Sequence, residues 1–137
     1  MKLVSACLVG INCRYNGGNK RNEKLLEMFR KDELLPVCPE QLTGFATPRE
    51  QTEQRGGRVY TKSGKDVTAG FIKGAEEVLK IAKKFNIKEA ILKARSPSCG
   101  CGKMYDGTFT GRLIDGDGIT ASLLKKNGIK VITEDDL

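Results

Sequence analysis

Three apolar, strand-like runs in this chain, Lys2–Cys7, Glu33–Cys38 and Ala90–Cys99, each end on a cysteine where the composition turns to loop. Short runs rich in Val, Leu, Ile and Ala suit strands covered on both faces, the habit of parallel sheets with helical crossovers. In an open parallel sheet, ligands bind in the crevice outside the carboxyl ends of the strands. Cys7, Cys38 and Cys99 are thereby candidates for a single site built from sequence-distant thiols.

The segments between these runs predict the same architecture. Asn22 can cap a helix over Glu23–Lys31, with Leu25, Leu26 and Phe29 on its apolar side. From Pro39 to Lys65 the chain is polar, glycine-rich and interrupted by Pro48, and reads as a long loop with at most a small hairpin around Arg58–Thr61. A loop of that length is usually functional or disordered. Asp66 caps the clearest helix, whose Val67, Phe71, Ala75, Val78, Ala82 and Phe85 recur at three- and four-residue spacing. Lys88–Arg95 and Ile129–Thr133 predict further strands, Asp106-Gly107 a turn, and Asp117 the start of a last helix that Gly128 stops. Alternating strands and helices predict one α/β domain over residues 1–137, three-layered and Rossmann-like, with a mainly parallel sheet.

Composition narrows the chemistry. The chain has no histidine, which excludes a Ser-His-Asp triad, a Cys-His nucleophile pair and any histidine-bearing zinc site. It has no C-x-x-C word, so no zinc ribbon, thioredoxin-type pair or ferredoxin cluster loop is written locally. Thiolates without imidazole favour a soft-metal centre, above all iron–sulfur. An odd count of five cysteines, with no leader and no long apolar run, points to a reducing cytoplasm. A free cysteine taken singly is often a small buried hydrophobe, and Cys13 and Cys101, deeper in the loops, keep that reading. The net charge of +7 permits attraction to nucleic acid or anionic metabolites. The basic residues are scattered, however, and the three tyrosines and five phenylalanines form no stacking stripe, which favours a solvated basic surface over a nucleic-acid groove.

Three local words carry candidate roles. In SPSCG, Pro97 holds Ser96 out of the helical region, Gly100 permits close backbone approach, and the hydroxyls of Ser96 and Ser98 flank Cys99. Such a turn can aim donors at an anion, or be an ordinary Ser/Pro/Gly turn. In PVCPE, Glu40 follows Cys38 by two residues and is either an acid–base group or an exposed loop glutamate. CRYNGG offers Arg14 as an anion clamp and Tyr15 as a planar contact, as many surface loops do.

The words CLVGINCRYNG, PVCPEQLTGFATPRE, SPSCG, YDGTFTG and GDGITASLLKKNGIKV, in this order and over nearly the whole chain, resemble a small bacterial and archaeal domain-of-unknown-function family that includes thiouracil desulfidase. The resemblance implies a 4Fe-4S cluster held by Cys7, Cys38 and Cys99, with one iron lacking a protein ligand. It also implies sulfur transfer from a small thiolated substrate, such as a thiolated pyrimidine, to that iron, and hydrolytic formation of the oxo product. On this reading Glu40 and Ser98 take part in catalysis, while Arg14, Tyr15, Ser96 and Gly100 hold the substrate. Two alternatives stand beside it, a non-catalytic iron–sulfur or metal-sensing module and desulfuration of thiolated tRNA. The chain departs from the family pattern at Asn16, where aspartate is common, at Ala46, where proline is usual, and at Cys101, where a small polar residue is typical.

Overall fold

The computed structural model describes residues 1–137. Its centre is a four-stranded parallel sheet of β1 (Lys2–Ser5), β2 (Leu34–Val37), β5 (Glu89–Leu92) and β8 (Lys130–Thr133), in the order β2-β1-β5-β8. The register pairs Lys2 with Leu34 and Ser5 with Val37 on one side of β1, and Leu3 with Ala90 and Val4 with Ile91 on the other. Pro36 is tolerated because β2 is an edge strand. Two hairpins lie outside the sheet, β3 (Thr52–Arg55) with β4 (Arg58–Thr61), and β6 (Lys103–Tyr105) with β7 (Leu113–Asp115).

Alternation along the central strands builds the three layers. Leu3, Ala90, Leu92 and Val131 pack with Val78 and Ala82 of α3 (Thr68–Lys84) and with Ala121 and Leu124 of α4 (Ile119–Lys126). Val4 and Ile91 face the other way, toward Leu25 of α1 (Glu23–Arg30) and the Ala6–Val9 turn. The expected three-layer domain with a mainly parallel sheet is therefore present. Its connections reverse direction between β1 and β5, the position at which open α/β sheets form their crevice.

Several boundaries differ from expectation for identifiable reasons. The first strand stops at Ser5, and Ala6–Val9 close a single 3₁₀ turn that ends at Gly10, whose φ of 91° suits glycine. Cys7 is therefore turned back over the sheet end. Pro39, at the first position of α2 (Pro39–Leu42), starts a helix directly after Cys38, inside what reads as loop. Asp66 sits one residue further out than a standard cap, yet its Oδ1 accepts the N–H and hydroxyl of Thr68 while Oδ2 pairs with Arg58. Phe85 is not a core residue; it lies past the last turn of α3 and is 61% exposed. Asp117 does not cap α4: its carboxylate accepts from Gly102 N–H at 2.8 Å and pairs with Lys125. Asn22 behaves as expected, accepting Leu25 N–H at 3.1 Å.

Helix α2 is held against α3 by backbone contact. A Cβ at Gly74 would lie 2.4 Å from the Pro39 carbonyl oxygen, so only glycine allows this approach. Gly74→Ala is expected to destabilise the protein by about 1–3 kcal/mol through overpacking, although alanine favours a helix interior by about 1 kcal/mol. Urea denaturation of the two proteins decides the sign; a raised midpoint would mean that α2 yields freely.

Candidate functional site

The carboxyl ends of β2, β1 and β5 open on a cleft of about 270 Å³. Cys7 enters from the turn after β1, Cys38 from the end of β2, and Cys99 from the loop after β5. The three cysteines singled out from the sequence thus line one cleft. Cys13, read as structural, joins them: its side chain interacts with the thiols of both Cys38 and Cys7, and its carbonyl faces Cys38 Sγ at 3.8 Å. Cys101 does not, because its Sγ turns to the Val131 carbonyl at 3.6 Å, against the core beneath α4. No three thiol or carboxylate side chains converge tightly enough to hold a single ion.

Packing neutral sulfur against sulfur shapes their acidity. The hydrogen bond with Cys38 lowers the Cys13 pKa, but the bond with Cys7 and burial outweigh it and raise the thiol to about 11. Cys38 is pushed up by its bond with Cys13 and by burial, and Cys99 by burial and then by the nearby Glu40 carboxylate. Raised in this way, the three groups keep their protons at neutral pH.

The SPSCG segment is organised by hydrogen bonds to its own backbone and to α4. Ser96 Oγ accepts the N–H groups of Ser98 and Cys99 at 3.1 and 3.0 Å, and the Ser96 carbonyl accepts Gly100 N–H at 2.8 Å. The carbonyls of Pro97 and Ser98 accept Ile119, Thr120 and Ala121 N–H, satisfying the orphan donors of the first turn of α4 that no side chain caps. Two of the candidate residues lie outside the cleft lining. Ser98 is fully buried, its hydroxyl engages Thr120 at 2.8 Å, and it does not line the cleft, so it braces the Cys99 arm. Gly100 does not line the cleft either; a Cβ there would meet the Ser96 carbonyl oxygen at 2.6 Å, so its glycine is a packing requirement.

Glu40, Arg14, Tyr15 and Ser96 do line the cleft. Glu40 Oε2 lies 3.4 Å from Arg49 Nη2, with both side chains mostly buried. The same nitrogen donates to the Cys13 carbonyl at 2.9 Å, and Nη1 donates to Thr47 Oγ1 at 3.1 Å. Arg14 places its guanidinium 5.4 Å from the centre of the Tyr15 ring, in cation–π range. Sequence reasoning missed Cys13, Arg49, Lys93 and Tyr105, all on the cleft wall. Only Arg49 carried a signal, because it lies in the long loop read as functional or disordered. Lys93 and Tyr105 gave none, since strand ends and turns routinely carry such residues.

A model of the 2-thiouracil desulfurase family matches residues 3–136. The protein YbbK of Bacillus subtilis (strain 168) is 46% identical over 147 residues, which cover 100% of this chain and 97% of that one. Among solved structures, the [4Fe-4S]-dependent thiouracil desulfidase TudS superposes with a TM-score of 0.94 at 43% identity, over 99% of this chain and 91% of that one.

The raised thiols make the metal-free protein sensitive to alkali. The folded state holds the Cys13 proton up to about pH 11, whereas the unfolded chain releases it near the ordinary value of 9.0. The stabilisation is complete below that lower value and is lost as pH rises through the upper one. Urea midpoints of reduced, metal-free protein are therefore expected to fall between about pH 9 and about pH 11. Cys13→Ser should flatten part of this slope; a midpoint that holds steady in the unsubstituted protein would contradict the assignment.

Proposed function

The chain belongs to the 2-thiouracil desulfurase family, and from that premise we propose that it removes sulfur from a thiolated pyrimidine such as thiouracil, with a 4Fe-4S cluster held by Cys7, Cys38 and Cys99. The observation that carries this reading is the convergence of thiols from three strand exits on one cleft that also presents a carboxylate and cations. The donor set fits the group. It is sulfur without imidazole, brought to one cleft from three separate strand exits, the soft donor type that an iron–sulfur centre takes. Loading it releases the protons that burial retains on the thiols. Cys13 is the most withdrawn of the four at 2% exposed, and it supports its neighbours without serving as a ligand. When bound, the cluster supplies a soft Lewis-acidic iron for a substrate sulfur.

The remaining steps fall to the chain's own groups. Desulfuration exchanges sulfur for a water oxygen: a carbon–sulfur bond breaks, a carbon–oxygen bond forms, sulfur leaves as sulfide, and no electrons are gained or lost overall. Glu40 receives the proton of the attacking water, and Arg49 fixes its carboxylate in the cleft wall. Tyr15 offers a flat face to the planar base, stiffened by the guanidinium of Arg14. Ser96 keeps a hydroxyl proton to donate, because its oxygen is what the two backbone N–H groups occupy. The cleft volume falls below the roughly 300–1,000 Å³ of drug-sized pockets, which favours a small substrate over a large one. No helix is long and apolar enough to cross a membrane, and we take the setting to be the reducing cytoplasm, where such thiols persist.

Anaerobic reconstitution with iron and sulfide is the test. The loaded protein is expected to convert a 2- or 4-thiolated pyrimidine to its oxo form and release sulfide without an electron donor. Intact-cluster protein that turns over no thiolated base, free or within tRNA, would leave a cluster-carrying module as the better reading. Serine at Cys7, Cys38 or Cys99 should abolish iron retention, while Cys13→Ser and Cys101→Ser keep most of it. Loss in the Cys13 variant would place that thiol among the ligands.

Glu40→Gln nearly preserves shape but removes the titratable group. It is expected to slow turnover by about a hundred- to ten-thousand-fold at unchanged iron content. Steady-state kinetics alongside iron analysis checks this, and unaltered turnover would assign the proton to another group.

A further inference from the structure

The cleft wall that leads from β5 to Cys99 is not part of the sheet. After Leu92 the strand ladder ends, and residues 93–97 run along the cleft as irregular chain. Arg95 within it has a φ of 67°, a left-handed conformation that costs a residue with a Cβ about 1–2 kcal/mol. Such a backbone persists only where its surroundings over-determine it. Beside the isolated β-bridge between Arg95 and Met104, three anchors are visible. Ser5 Oγ accepts Lys93 N–H at 2.8 Å, and Gln54 Nε2 donates to the Pro97 carbonyl at 2.9 Å. The third and most extensive is the short turn Glu134–Asp136 that follows β8.

We propose that this turn is the strut of the cleft wall and that Glu134 is a positioning residue for the arm bearing Cys99. Both of its carboxylate oxygens are committed: Oε1 accepts Ala94 N–H at 2.7 Å, and Oε2 pairs with Lys93 Nζ at 2.9 Å. The side chains of that pair are only 13% and 15% exposed, so removing the carboxylate leaves the ammonium with the Ala94 carbonyl at 3.1 Å but no counter-charge, and strands an amide donor in a poorly solvated place. The neighbouring Asp135 pairs with the strained Arg95 at 2.7 Å. The turn is itself stiffened, since Thr133 N–H donates to Asp136 Oδ2 at 2.8 Å and Thr133 Oγ1 accepts Asp135 N–H at 3.2 Å. Residues far along the chain thereby fix two side chains of the cleft and the path to one thiol.

The inference rests on the proposed cluster only for one arm of its test. In the reduced, metal-free protein, alkylation of Cys99 by iodoacetamide is followed by peptide mass spectrometry relative to Cys38 on the opposite side of the cleft. Glu134→Ala should speed Cys99 labelling about tenfold, as a locally loosened arm does. Glu134→Gln keeps an acceptor for Ala94 N–H and should fall between Ala and wild type. Glu89→Gln, which removes a carboxylate from the ion pair with Lys2, should match wild type. After reconstitution, iron retention should follow the same order. Wild-type labelling in both Glu134 variants would overturn the strut. So would equal labelling gains at Cys38 and Cys99, because that is general loosening. A wild-type protein that takes up no iron would sink the cluster reading, while the labelling arm would still decide this one.

Discussion

Parallel pairing of β1 on both of its sides is the constraint from which the rest follows. Leu3 and Val4 are wholly buried, one toward α3 and α4 and the other toward α1, so this short strand cannot slip without exposing both faces. Pairing with β2 and β5 in the same direction brings three carboxyl ends to one edge. Because the connections reverse there, helices leave an opening instead of covering it. Three thiols close to one another are a consequence of that topology.

Bringing thiols together in the metal-free chain leaves a cluster of buried polar groups that no opposite charge compensates, and the protein meets this by keeping them protonated. The surrounding cations are mostly committed elsewhere: Arg49 to Glu40, Lys93 to Glu134, and Arg95 to Asp135. Those pairs fix the positions of the walls more than they set the charge of the cleft. A soft cationic centre is the natural complement to such a floor, because it converts neutral sulfur into ligands and removes the cost of their burial together.

The arm that carries Cys99 shows how a loop is made rigid without secondary structure. Its carbonyls cap α4, its Ser96 hydroxyl collects two backbone donors, and its early residues lean on the turn after β8. Each bond satisfies a backbone group that the sheet or helix leaves unpaired. The SPSCG word therefore serves the fold before it serves a substrate: of its two serines only Ser96 lines the cleft, beside Cys99.

The alternation of apolar runs and amphipathic helices was enough to determine a parallel three-layer domain, since residues at period two or 3.6 bury together whatever else the chain does. Cysteines at the ends of three such runs were legible as one site for the same reason, strand direction carrying them to a common edge. The exposure of Phe85, the unexpected α2 and the altered duties of Asp117, Ser98 and Gly100 were not legible. Each depends on where an orphan backbone group or a neighbouring helix happens to lie. Cys13 and Lys93 belong to the same class: local sequence assigns them to loop and strand exit, and only the closing of the chain turns them to the cleft. Periodicity is a local property and can be read along the chain, whereas a side chain's partner across the fold is set by packing between segments that the sequence does not order.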